Sequence, residues 1–214
     1  MTRLNCEETR TNDVHPPLSI EQMLSDPVEQ FITWYHDAQA AGEKEPNAMV
    51  LSTRDTTLID SRVVLLKKIE DNGFVFYTNY HSSKAKQIER HQHIGALFYW
   101  QLMGRQVRIQ GIAEKISASA SEAYFLSRPR PSQIAVYASH QSDVIQEDTL
   151  SPAFTAWEEK FLNQPVPYPA FWGGYTIQPT AFEFFQSQAG RLHDRFHYLP
   201  LFEKNTWKIE RLSP

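Results

Sequence analysis

The stretch Arg62-Val63-Val64-Leu65-Leu66-Lys67-Lys68-Ile69-Glu70-Asp71-Asn72-Gly73-Phe74-Val75-Phe76-Tyr77-Thr78-Asn79 decides the reading of the fold. Arg62 to Ile69 and Phe74 to Thr78 are rich in β-branched and aromatic residues and read as strands. Asp71-Asn72-Gly73 between them is a strong hairpin signal, because these residues accept the left-handed backbone of a tight strand-matched turn.

Working outward, Ala48 to Thr53 reads as a preceding strand, and a short helix follows from Ser82 to about Arg90. Strands return at Ile94 to Trp100 and Gln106 to Lys115. Helices are expected from Ser119 to Ser127, Pro131 to Ser139 and Pro152 to about Leu162. Pro165-Val166-Pro167-Tyr168-Pro169 reads as an extended linker, since proline cannot serve a helix interior or a central strand. Closing strands fit Gly174 to Gln178, Phe182 to Gln186 and Trp207 to Leu212. Near the start, residues 1–20 read as a flexible arm. A helix then opens at Asp26-Pro27-Val28-Glu29, with Val28, Phe31, Ile32 and Tyr35 at helical spacing and Gly42 to end it. Consecutive strands on short connections argue for an antiparallel sheet. The expected class is mainly β with peripheral helices (α+β), in a single closed or partly closed barrel over residues 21–214.

The chain has 214 residues, enough for a core without staples, and a net charge of −4 that disfavours nucleic acid. Its one cysteine, Cys6, excludes an internal disulfide and reads as a spare thiol. No apolar run is long enough for a membrane span, and the N-terminus lacks the apolar core of a signal peptide, so a cytoplasmic protein is expected. His91 and His93 have no cysteine or matched carboxylates beside them, so no metal is expected. There is no G-x-S-x-G, Walker loop or G-x-G-x-x-G.

Five groups can carry chemistry. In a single strand Arg62 and Lys67 would point to opposite faces, serving different ligands or different ends of a pocket, or simply marking solvated strand ends. Thr78, Ser82, Ser83 and Lys84 sit where a strand ends and a helix begins. That is a phosphate cradle if a ligand is present and a plain N-cap if not. Gln106 offers a donor and an acceptor to a ring edge, or is a surface residue. Tyr124 and Arg128, four apart, with Ser132 beyond Pro129 and Pro131, can hold a second phosphate; Arg128 and Arg130 can instead cap helix carbonyls. Arg191-Leu192-His193-Asp194-Arg195, if extended, puts Arg191, His193 and Arg195 on one face, suited to an anionic ligand or to a salt-bridged edge.

In this order the pieces resemble the pyridoxine/pyridoxamine 5′-phosphate oxidase family. The matching stretches are Arg62 to Lys67, Gly73 to Asn79, Arg105 to Arg108, Tyr124 to Gln133, Ser139 to Ser142, Pro165 to Gly174, Arg191 to Arg195 and Trp207 to Pro214. The resemblance implies an antiparallel Greek-key split β-barrel that binds FMN, as a homodimer with two shared active sites. It implies oxidation of a small phosphorylated pyridine by molecular oxygen, forming pyridoxal 5′-phosphate and hydrogen peroxide. Cofactor contacts would fall on Arg62, Val63, Val64, Leu65, Leu66, Lys67, Tyr77, Thr78, Ser83, Lys84, Gln106, Gln141, Ser142, Phe185 and Arg195. Lys67, Tyr124, Arg128 and Ser132 would hold the substrate phosphate, and Arg191 and His193 would position the ring as the catalytic pair. Ser83 stands where the family usually has Arg, Phe185 where it has Trp, and Gln186 to Gly190 where it has a Gln-Gly-rich loop. Thr9 and Asn12 fall near arm positions where the family often has Arg and Tyr. Weaker FMN binding is expected from Ser83 and Phe185. The competing expectations are a related split-barrel flavin oxidase on another substrate, such as a phenazine-pathway oxidase, and a non-catalytic FMN or pyridoxal-phosphate binding protein.

Overall fold

A computed structural model describes residues 15–145, 147, 149–201 and 206–214. Cys6, Thr9, Asn12 and most of the expected arm lie outside the described residues. The strands are β1 (Ala48–Arg54), β2 (Ile59–Leu65), β3 (Lys68–Glu70), β4 (Gly73–Asn79), β5 (His93–Trp100), β6 (Arg105–Lys115), β7 (Trp172–Gln186), β8 (Asp194–Leu201) and β9 (Thr206–Arg211). The helices are α1 (Pro27–Ala40), α2 (Ser83–Arg90), α3 (Ala118–Ser127), α4 (Arg130–Ala138) and α5 (Leu150–Lys160). Hydrogen-bonded neighbours run β2-β1-β5-β6-β7-β4-β3, with β8 on β7 and β9 on β8. The pairs β1–β2, β3–β4, β4–β7, β7–β8 and β8–β9 are antiparallel. Among the described residues no helix is long and apolar enough to cross a membrane.

The chain divides into two compact units, one of residues 1–46, 97–109 and 181–214, the other of 47–96 and 110–180. In the first unit Asp26 caps α1 by accepting from the Val28 N–H at 2.8 Å. The buried face of α1 is Val28, Phe31, Trp34 and Ala38, so Ile32 faces outward. Phe31 meets Phe98 edge-on at 4.7 Å, Trp34 meets Phe184 at 5.2 Å, and Phe184 meets Tyr198 at 5.3 Å. These offset and edge contacts stabilise an aromatic core beyond its buried area.

In the second unit the expected hairpin forms on a two-residue loop. Asp71 and Asn72 take φ of 49° and 61°, and Glu70 pairs with Gly73. A Cβ at Gly73 would meet the side chains of Thr176 and Gln178, so any larger residue there would have to displace both. Phe125 of α3, Ile134 of α4, Phe161 just beyond α5 and Trp172 of β7 cluster with Val166 of the proline-rich linker.

Three sequence expectations need correction. Arg62 to Ile69 is not one strand: β2 ends at Leu65 and β3 starts at Lys68. The Leu66 N–H donates to Asn47 O and the Lys67 N–H to Val75 O, both at 2.8 Å, so the chain changes neighbours there. The two closing strands expected around Pro179 are one strand, β7. Pro179 falls between the stretches paired with β4 (172–177) and β8 (182–186), so its missing N–H removes no bond to either. Arg191, His193 and Arg195 do not share a strand face. Ala189–Arg191 is a 3₁₀ turn, with Gly190 and Arg191 at φ of 64° and 63°, and β8 begins only at Asp194.

Candidate functional site

The second unit holds a cavity of about 510 Å³. Its walls are Arg62 to Leu65 on β2, Lys67 in the crossing, Tyr77 to Asn79 on β4, Lys84 on α2, Gln141 and Trp172. Tyr124, Arg128, Pro129 and Ser132 close it. The neighbour exchange at Leu66 and Lys67 resets the strand alternation. Arg62 and Lys67, which a single strand would send to opposite faces, both line this cavity.

At one end Arg62 is locked into the sheet. Its guanidinium donates to Leu51 O at 3.0 Å, Thr53 Oγ1 at 2.6 Å, Asp60 Oδ2 at 2.6 Å and Gln87 Oε1 at 3.2 Å. Lys84 lies in the first turn of α2, 8% exposed, behind the cap made by Ser82. Burial pushes its ammonium below the ordinary lysine value. The like charge of Arg62 adds to this, and Asp60 partly offsets it. Among the described residues Lys84 makes no ion pair, so the only opposing charge, that of Asp60, acts on it from a distance. The Ser83 N–H donates to Ser142 Oγ at 3.2 Å, and Thr78 Oγ1 lies 3.5 Å from both Ser82 Oγ and Gln141 Oε1. Ser82 Oγ is buried and already donates to Asn79 O at 2.7 Å, so the donor set for a dianion is the helix N-terminus, Lys84, Arg62 and the Thr78 and Ser142 hydroxyls.

The other end is aromatic and cationic. Tyr77 stacks on Tyr124 at 3.8 Å and on Trp172 at 5.4 Å, with planes within 17°. Burial, and then Tyr124, push the Tyr77 phenol up to about 12, and burial raises Tyr124 despite Arg128. Both hydroxyls therefore stay protonated at neutral pH. Arg128 lies 4.6 Å over the Trp172 ring, and its Nη1 is buried with no hydrogen-bond partner among the described residues. Pro129 forces Arg128 to leave α3 in extended backbone, at φ −72° and ψ 151°. Gln133 Nε2 then fixes that exit by donating to the carbonyls of Phe125, Leu126 and Arg128 at 3.2, 3.1 and 2.9 Å.

The other expected residues fall elsewhere. Leu66 is buried and does not line the cavity, and Ser83 and Ser142 pair with each other. Gln106, Phe185, Arg191, His193 and Arg195 belong to the first unit. There Phe185 lies opposite Arg195 in the β7–β8 register, and its ring is 4.9 Å from that of His193. Arg195 Nε donates to Glu183 Oε1 at 2.9 Å, and Glu183 also takes Arg108 at 2.9 Å. Trp172, Asn79 and Gln133 were not picked out as site residues. The Phe171-Trp172-Gly173-Gly174 run was the available signal for Trp172, whereas Gln133 needed the fold.

Two family models match the chain, "Pyridoxamine 5′-phosphate oxidase" over residues 35–161 and "Pyridoxine 5′-phosphate oxidase C-terminal dimerisation region" over 172–214. A pyridoxine/pyridoxamine 5′-phosphate oxidase of Aliarcobacter butzleri is 47% identical over 92% of this chain and 93% of its own. One from Crocosphaera subtropica is 44% identical over 100% and 99%. Among solved structures, PhzG of Burkholderia lata in complex with tetrahydrophenazine-1-carboxylic acid aligns with TM-score 0.84 and 29% identity, over 91% of this chain and 95% of that one. An FMN-binding, pyridoxamine 5′-phosphate oxidase-related protein of Nostoc punctiforme aligns with TM-score 0.73 at 17% identity, over 90% and 100%, a likeness of fold alone. The mainly antiparallel split-barrel class read from the sequence is the observed one. With models covering both ends of the chain and relatives near half identity over its length, the chain belongs to the pyridoxine/pyridoxamine 5′-phosphate oxidase family of flavin oxidoreductases.

Proposed function

We propose that this chain oxidises pyridoxamine 5′-phosphate and pyridoxine 5′-phosphate to pyridoxal 5′-phosphate, with FMN as cofactor and molecular oxygen as electron acceptor. Hydrogen peroxide is the co-product, and the amine substrate also releases ammonia. The observation that carries the reading is Arg128, whose Nη1 is a buried cationic donor without a partner among the described residues, and whose side chain lines a cavity together with Tyr124, Ser132 and Lys67. An unsatisfied buried donor is costly, and a substrate phosphate satisfies it with a charge-assisted bond.

The residues present fit FMN. Arg62, Lys84, Thr78 and the Ser83–Ser142 corner would take its phosphate, since Lys84 is a desolvated cation that makes no ion pair among the described residues. Val63, Val64, Leu65, Lys67, Tyr77 and Gln141 line the same cavity and would flank the ring system. When bound, FMN supplies the two-electron acceptor that no side chain offers. The chain's own contribution is to bind, orient and exclude water. Lys67, Arg128 and Ser132 hold the substrate phosphate, and the neutral Tyr124 hydroxyl donates to it. Arg191 orients the pyridine electrostatically and is no general base, because a guanidinium does not give up its proton near neutrality. Placing the reacting carbon at contact distance contributes to the acceleration by removing the entropy cost of encounter.

Arg191, His193, Arg195, Phe185 and Gln106 complete the site from a second copy of the chain. In support, four of them lie within residues 172–214, the span matched by the dimerisation-region model. Oxygen uptake by FMN-loaded protein tests the activity. Turnover with pyridoxamine 5′-phosphate is expected, with sharp loss in Arg191→Ala and His193→Ala at unchanged melting temperature; normal kinetics in both variants refute the assignment. A second reading, a related oxidase of a tricyclic carboxylate, draws on the likeness to PhzG. Turnover of such a carboxylate and not of the phosphorylated pyridines would select it.

A further inference from the structure

We propose that Asp194 and Gln188 are positioning residues that set the tautomer and orientation of His193, an inference that rests on the functional reading above for its kinetic consequences. His193 Nδ1 accepts a hydrogen bond from the Gln188 backbone N–H at 3.0 Å. An amide N–H can only donate, so Nδ1 keeps its lone pair and the neutral ring carries its proton on Nε2. Nε2 makes no hydrogen bond among the described residues. The ring thus presents one donor outward, with its other face tilted on Phe185 at 4.9 Å.

What holds Gln188 in place is Asp194. The Gln188 side chain donates to Asp194 Oδ2 at 2.8 Å and to Pro16 O at 3.2 Å. Asp194 is 2% exposed, and it also accepts from the Leu18 N–H at 2.9 Å and from Arg211 at 2.7 Å. Every hydrogen-bond partner it has among the described residues is a donor, so both carboxyl oxygens act as acceptors. The path runs from the buried charge to the Gln188 side chain, then through the Gln188 main chain to His193 Nδ1. Gln188 lies in the Gln186 to Gly190 segment that departs from the family's usual loop, while Asp194 lies in the matching Arg191 to Arg195 stretch, so the Gln188 side-chain link between the two is this chain's own.

A purely structural role, tying Leu18 and Arg211 to β8, uses the same carboxylate. The two roles differ in what they do when His193 is absent. In FMN-loaded protein, ¹⁵N spectra of the imidazoles, with His193 assigned by its loss in His193→Gln, should show the wild-type ring protonated at Nε2. They should show mixed tautomers in Asp194→Asn and Gln188→Ala. Each variant should lower kcat/KM for pyridoxamine 5′-phosphate on the order of tenfold, the usual scale for groups that orient a functional histidine. In a His193→Ala background the same changes should cost less than about twofold, because the coupling partner is gone. Equal losses in both backgrounds, or a wild-type proton on Nδ1, overturn the proposal. Should Asp194→Asn not fold, the partly exposed Gln188→Ala decides alone. Should the wild type turn over no phosphorylated pyridine, the functional reading fails while the spectra still decide the positioning claim.

Discussion

Replacing Arg128 by methionine separates ligand recognition from folding. Without ligand the guanidinium contributes a cation–π contact with Trp172 at 4.6 Å, worth about 0.5–2 kcal/mol. Against this stands the buried Nη1 without a partner, a penalty of about 1–3 kcal/mol. The two nearly cancel, and methionine keeps most of the stem, so stability of the free protein should move by no more than about 1 kcal/mol. With a phosphorylated ligand the balance changes. A charge-assisted hydrogen bond contributes about 1.5–3 kcal/mol, so its loss weakens binding roughly tenfold to a hundredfold. Calorimetric titration of Arg128→Met with pyridoxal 5′-phosphate and with unphosphorylated pyridoxal is the assay. The loss should be confined to the phosphorylated ligand. Equal weakening of both, or a variant that melts well below the wild type, refutes the assignment of Arg128 to the phosphate.

Three further outcomes are expected. Lys84→Met should raise the melting temperature of flavin-free protein by roughly 2–4 °C while abolishing FMN binding, because it removes a desolvated cation. The folded-state value of Lys84 lies below its unfolded value, so between the two the unfolded chain holds the extra proton and wild-type stability rises with pH. The burial penalty is present in full below that interval, and the advantage of methionine should shrink above it; a pH-independent difference contradicts this. Ser83→Arg should tighten FMN by about tenfold in fluorescence titration, since it adds a cation at the α2 N-terminus, and an unchanged Kd would show that Ser83 does not weaken the cofactor site. Gly111→Ala places a Cβ 2.6 Å from the Gln178 carbonyl oxygen and 2.7 Å from Ile177 Cγ2, and should destabilise by roughly 1–3 kcal/mol in urea melts.

The hairpin at Asp71-Asn72, the cap at Asp26 and the helix start at Ser82 were legible because each is decided by residues within a few positions of itself. The break between β2 and β3 was not, since it depends on Asn47 and Val75 claiming the Leu66 and Lys67 amides from distant places in the chain. Pro179 misled in the same way, because only pairing shows that its missing donor removes no bond to β4 or β8. In the candidate site, Tyr124 and Arg128 could be joined by their spacing, although Arg128 lies just beyond the end of α3. Arg191 to Arg195 has the alternation of a strand, and only Gly190 hinted at the left-handed turn that breaks it. Asp194 was passed over because nothing in its neighbours His193 and Arg195 signals that the carboxylate is buried. Its burial comes from Leu18, Gln188 and Arg211, which the fold alone assembles.

Product analysis of a single reaction tests the central claim most directly. FMN-saturated protein is given pyridoxamine 5′-phosphate in air, and pyridoxal 5′-phosphate and hydrogen peroxide are quantified together. Equal amounts of the two, formed over many turnovers and far more slowly from unphosphorylated pyridoxamine, are predicted. No pyridoxal 5′-phosphate with the flavin bound, or the same rate with and without the phosphate, would contradict the account.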